Sequence, residues 1–135
     1  MDTLLGINYL ATGAAALAAF VGSLVWYIAF GRELAKVSAA FAAALKQRRQ
    51  PWKLLVVLAE SLVLAWVLAY LIVHLGANGL LAGVGLGALL WVGLSAMQWA
   101  SSIVWENVPL KLAAIHAGDW LLKLVVIGAI LGVWR

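Results

Sequence analysis

Between Glu60 and Glu106 the chain has no charged side chain, and between Asp2 and Arg32 it has none either. It has no cysteine, only 2 prolines, and a charged fraction of 10%. Each absence excludes something. Without cysteine there is no disulfide framework, zinc finger, haem attachment motif or cysteine nucleophile. Charge at 10%, against about 25% in soluble domains, and apolar residues at 67%, against about 45–50%, fit no soluble fold. The charge-free runs exceed the roughly 20 residues that a transmembrane helix requires. The N-terminus does not read as a signal peptide, since it opens on Asp2 rather than a basic region and its apolar run is too long.

What is present organises into spans. The 135 residues leave room for one domain. A first span covers about residues 7–30 and ends in Trp26, Tyr27 and Arg32, an aromatic belt followed by a cationic stop. A second covers about 54–75. The long charge-free run is too long for one helix and breaks at Gly76-Ala77-Asn78-Gly79, where Asn-Gly is turn chemistry. The third covers about 80–103 and the fourth about 117–134. Backbone groups in lipid must be bonded within their own segment, so all four are expected to be helices. The fold class is therefore all-α, an integral membrane four-helix bundle.

The formal net charge of +4 would suit nucleic acid, but its placement argues otherwise. The connection over residues 31–53 carries Arg32, Lys36, Lys46, Arg48, Arg49 and Lys53, and the connection over 104–116 carries Lys111. Only Arg135 lies on the opposite side, with Lys123 inside span four. Such a bias places both connections in the cytoplasm and both termini outside. Lys46, Arg48, Arg49 and Lys53 then form a basic loop facing anionic lipid. Leu34, Val37, Phe41 and Leu45 recur at helical spacing, so a short amphipathic helix is expected on the membrane surface between spans one and two. The partners expected are the bilayer and other membrane subunits or copies of the chain itself, with no nucleic acid.

Ionisable residues within a span are functional candidates. Glu60, Asp119 and Lys123 qualify, and Gln98 falls in the same half of the bilayer, so these four residues could form one polar cluster. Asp119 and Lys123 stand four apart with the acid first, the favoured order for a helical ion pair. Either the cluster is a proton or cation site, or it is a structural ion pair that fixes helix rotation. His74 and His116 sit near opposite membrane faces and cannot share a metal; each alone could ligate a pigment or stand at the interface. No metal site and no cofactor are expected. Most of the 8 tryptophans belong to interfacial belts, but Trp66 and Trp91 fall near mid-membrane, where an indole N–H requires an acceptor. Gly83 and Gly87, like Gly128 and Gly132, have the four-residue spacing that lets helices approach closely, within one bundle or between subunits.

The segments Asn8-Tyr9-Leu10-Ala11, Trp26-Tyr27, Trp105-Glu106-Asn107-Val108-Pro109-Leu110-Lys111-Leu112 and Ala117-Gly118-Asp119-Trp120 resemble a bacterial membrane family catalogued as domain of unknown function 1761. The likeness covers nearly the whole chain and is weakest from Leu34 to Gln50. Its most specific part is the aromatic-Glu-x-x-Pro-Leu-Lys-Leu segment. The family usually has phenylalanine where Trp105 stands, arginine at Val108, asparagine at His116 and tyrosine at Asp119, whereas Glu106 and Pro109 match. The resemblance implies a four-helix membrane protein of the bacterial cytoplasmic membrane and supplies no activity. Trp105, Glu106, Pro109, Lys111 and His116 form a candidate cytoplasmic-face motif. Nothing pairs a nucleophile with a base, so the expectation is a non-enzymatic accessory or assembly subunit, or a homo-oligomeric scaffold. The alternative is a small oligomeric transporter or channel using Glu60.

Overall fold

A computed structural model describes residues 6–46 and 51–134. Its elements are all helical among the described residues: α1 (Tyr9–Val37), α2 (Ala39–Lys46), α3 (Pro51–Leu75), α4 (Leu80–Leu90), a π-helical segment (Trp91–Ala96), α5 (Met97–Glu106) and α6 (Leu110–Val133). Helices α1, α3 and α6, with the continuous run Leu80–Glu106, give 4 helices long and apolar enough to cross a membrane. The basic-loop residues Arg48 and Arg49, and the terminal Arg135, lie outside the described residues.

Local chemistry sets the ends. The side chain of Asn8 caps α1 by accepting from the Ala11 N–H at 3.1 Å. Ser38 leaves the helix in an extended conformation, and its hydroxyl then accepts from the Phe41 N–H at 3.1 Å, so one serine ends α1 and starts α2. Pro51 occupies the first turn of α3, where a missing N–H costs nothing. At the other end Gly76 turns left-handed (φ 66°) and the Ala77 N–H returns to the Ile72 carbonyl at 3.0 Å. That is a Schellman stop. Asn107 does the same service after α5 with φ 54°, and Pro109 opens α6.

Two boundaries differ from the sequence reading. Helix α1 runs through Arg32 and Glu33 to Val37, so Leu34 and Val37 belong to it, and only Phe41 and Leu45 lie on the short interfacial helix. Its charges lie past the apolar run and are solvated by pairing, as described below, so they do not end the helix. Helix α6 begins at Leu110 rather than near Ala117, which shrinks the second connection to residues 107–109.

The bundle is built around α6, which touches all three other spans. Its apolar window is 44% buried, against 17% for the Leu80–Glu106 span. Alanines make the α1 contact thin: Ala11, Ala15, Ala16 and Ala19 are all fully buried. On α3 the inward stripe is Ser61, Ala65, Leu68, Ala69 and Ile72. The closest approach joins α4 to α6. A Cβ on Gly83 would overlap the Gly128 carbonyl, one on Gly87 the Leu124 carbonyl, and one on Gly132 the Gly79 carbonyl. The Gly79 N–H donates to the Gly132 carbonyl at 2.8 Å, pinning the end of the seam. The four glycines singled out from sequence therefore pack within one chain. By contrast α3 and the Leu80–Glu106 span hardly touch, although a short turn joins them. Ile28, Leu81 and Trp105 are more than four-fifths exposed, as expected for side chains whose solvent is lipid.

The seam makes a discriminating prediction. Gly83→Ala should destabilise the bundle by about 1–3 kcal/mol through overpacking. Gly85→Ala, on the same helix with nothing within 4 Å of its Cβ, should be neutral or stabilise by about 0.5–1 kcal/mol. Thermal unfolding of both variants in mild detergent checks this.

Candidate functional site

Polar side chains inside the bundle concentrate toward the end that carries Arg32, Lys53 and Lys111, here termed the basic end. Helix α6 positions most of them, with His116, Asp119 and Lys123 about one turn apart along it. Lys123 Nζ lies 3.0 Å from Asp119 Oδ2, and both side chains are almost fully buried. The same ammonium sits 4.6 Å from the centroid of the Trp120 ring, a favourable cation–π placement. The other carboxylate oxygen of Asp119 is buried without a hydrogen-bond partner.

His116 is held from two sides. Its Nδ1 is 2.7 Å from the Tyr27 hydroxyl on α1. Its ring stacks on Trp99 of α5 at 5.2 Å and 9°. Two indoles also hook onto α6: Trp26 donates to the Ile115 carbonyl at 2.9 Å, and Trp91 donates to the Ala117 carbonyl at 2.8 Å. Trp91 thus has the acceptor that its depth requires. Trp26 lies flat over Gly118, where any Cβ would meet the indole. Trp66 instead stacks on Tyr70 along α3, and Tyr70 stacks on His74. His74 thus stays on the exposed face of α3, away from the His116 cluster.

At the basic surface Glu33 pairs with Lys36 at 3.3 Å and also with Lys111. This ties the extended end of α1 to the start of α6. Both partners are exposed enough that the pairs count for little individually. Of the sequence motif, Pro109 and Lys111 form this corner and His116 lies inside it. Trp105 and Glu106 end α5 exposed, and Lys46 and Lys53 are likewise exposed.

The four residues expected as one cluster separate. Asp119 and Lys123 form a buried pair within α6. Glu60 stands on the exposed side of α3 with no ion-pair partner among the described residues. It lines a shallow depression with Val56, Ala59, Val63 and Trp120. Gln98 is exposed at the mouth of a neighbouring cleft of about 350 Å³, where α3 stands away from the Leu80–Glu106 span. Leu64, Val67 and Trp120 line both cavities. Sequence reasoning places Ser95 of span three in the same half of the bilayer as Gln98. It lies in the π-helical segment on the cleft wall, and its hydroxyl is buried without a partner. Such wide turns are frequent at functional sites.

Apolar spans packed on a central helix, with an ion pair sealed inside and cations gathered at one end, define a multi-pass membrane protein of the four-helix kind. The chain belongs to the family described as Protein of unknown function (DUF1761), whose model matches residues 10–132. No curated protein and no solved structure matches it.

Removing one partner of a buried ion pair leaves an uncompensated charge, whereas replacing both with apolar groups is often neutral. Lys123→Met should therefore cost about 3–5 kcal/mol, and Asp119→Leu combined with Lys123→Met should restore stability to near the wild type. Unfolding of the two variants, monitored by helical circular dichroism in detergent, distinguishes them.

Proposed function

We propose that this protein is a non-enzymatic subunit of the bacterial cytoplasmic membrane that works by packing, either as an accessory or assembly subunit of a larger complex or as a homo-oligomeric scaffold. The basic end lies in the cytoplasm and both termini lie outside, following the distribution of Lys and Arg.

One observation carries this reading. Glu60 faces out of the bundle into the zone of the apolar spans and has no ion-pair partner among the described residues. A charged group in the bilayer costs about 2.5–3.5 kcal/mol on insertion scales when it is unpaired at the centre. We take its complement to come from another polypeptide, a partner subunit or a second copy of the chain. Inside the bundle, polar groups pair with one another, Asp119 with Lys123 and Tyr27 with His116, which supports a structural use for them.

The second reading, a small oligomeric transporter, draws on the same Glu60. It requires several copies. Towards the end away from the basic residues the core is made of Ile7, Ala11, Ala15, Ile72 and Leu131, all buried, and a cavity there measures only about 60 Å³.

Native mass measurement of the gently solubilised protein, from its own membrane at its own expression level, tests the proposal. The expected result is an assembly well above 14.4 kDa that is weakened or lost in Glu60→Gln while the helical content is unchanged. A wild-type monomer, or an assembly indifferent to Glu60→Gln, would contradict it.

A further inference from the structure

We propose that the cleft between α3 and the Leu80–Glu106 span is a binding site for a single-chain amphiphile with a cationic ammonium head. The chain lies in the cleft and the head lies against Glu60. The inference shares with the functional reading above the premise that Glu60 is completed from outside the chain.

The cleft has the size of a ligand site. At about 350 Å³ it falls within the roughly 300–1,000 Å³ typical of small-molecule pockets. Its walls are apolar, with Leu68 and Leu71 on one side and Leu90 and Leu94 on the other. It lies where α3 and the Leu80–Glu106 span hardly touch. A hydrocarbon chain suits such walls better than a folded protein segment, which needs a broad face rather than a slot.

Polarity is graded along the cleft. At 1.5 Å per residue, Glu60 lies about 14 Å along α3 from Pro51, and Gln98 about 12 Å along α5 from Glu106. Both ends belong to the basic side, so the two groups stand at one level. Leu71 and Leu90 lie further from that side. An amphiphile entering from the basic side would therefore meet Gln98 and Glu60 with its head and the leucines with its tail. Leu64, Val67 and Trp120, common to the cleft and the Glu60 depression, make the two surfaces continuous.

Ser95 supplies an independent indication. Two other buried hydroxyls in these helices bond back to their own backbone: Ser61 to the Val57 carbonyl at 3.0 Å, and Thr12 to the Asn8 carbonyl at 2.8 Å. Ser95, in the π-helical segment, is only 8% exposed, and its hydroxyl has no partner. It lines the cleft. A buried hydroxyl left unmade is costly, and the cleft is where a partner can reach it.

Charge selects the head. The nearest buried cation, Lys123, is already paired with Asp119, and Lys53 lies nearly two turns away along α3 towards the basic end. Glu60, with no ion-pair partner among the described residues, lines the depression that adjoins the cleft. It attracts an ammonium and repels a carboxylate, sulfate or phosphate head on the same chain.

Tryptophan quenching tests this directly, because Trp99 and Trp120 line the cleft. The protein is placed in nanodiscs of neutral phosphatidylcholine and titrated with a terminally brominated undecylammonium, whose head carries N–H donors. The expected result is saturable quenching. A brominated undecyl sulfate, and the cation against Glu60→Gln, should each bind at least tenfold more weakly. Leu94→Trp, which fills the cleft without touching Glu60, should abolish saturation and guards against a misfolded Glu60 variant. Non-saturable quenching, or equal quenching of Glu60→Gln and wild type, means simple partition into lipid and overturns the proposal. Equal affinity for the sulfate overturns the assignment of the head. Absence of saturable binding, together with a native assembly that still depends on Glu60, means a protein partner covers this face; the amphiphile site then fails while the packing role stands.

Discussion

The α4–α6 seam is the contact on which the rest of the molecule depends. Gly83, Gly87, Gly128 and Gly132 have no Cβ, so backbone meets backbone where any side chain would intrude. In lipid there is no hydrophobic force between helices, and close packing of small residues takes its place. The seam draws α6 to the centre of the bundle. Everything else then uses α6 as its platform: the alanine face of α1, the indole hooks of Trp26 and Trp91, the Tyr27–His116 contact and the buried Asp119–Lys123 pair.

That arrangement has a consequence for the opposite side. With α1 and the Leu80–Glu106 span both gathered onto α6, helix α3 can satisfy its small inward stripe against α1 and α6 alone. No comparable stripe joins it to the next span, and a cleft remains. Glu60 lies off the inward stripe, and so it faces out. The molecule is thus sealed on the α1–α6 side and open on the α3 side, where Glu60 has no ion-pair partner among the described residues.

Much of this was legible in the residues. Charge-free runs gave the spans, the Gly76–Gly79 turn gave their break, and four-residue glycine spacing marked the seam. The i, i+4 order of Asp119 and Lys123 marked their pair, because it needs only one helix. Contacts between helices were not legible, since depth alone does not fix rotation. Glu60, Gln98 and Lys123 share a level but not a direction, and the small stripe Ser61, Ala65 and Ala69 decides which way Glu60 points. The early start of α6 and late end of α1 bring Glu33 to Lys111 across 78 positions, a contact no local pattern reveals. The π-helical segment, and with it the orphan hydroxyl of Ser95, has no signal in the residue types.

The absence of native cysteine makes the central contact directly measurable. Cysteines placed at Val84 and Val125, beside Gly83 and Gly87 on one helix and near Gly128 on the other, can be joined by a short bis-maleimide linker in native membranes. The expected product is a linked single chain of altered gel mobility, because the seam lies within one molecule. Linked dimers with no intramolecular product would mean that the glycine faces join separate copies, and the bundle would have to be rebuilt around a different contact.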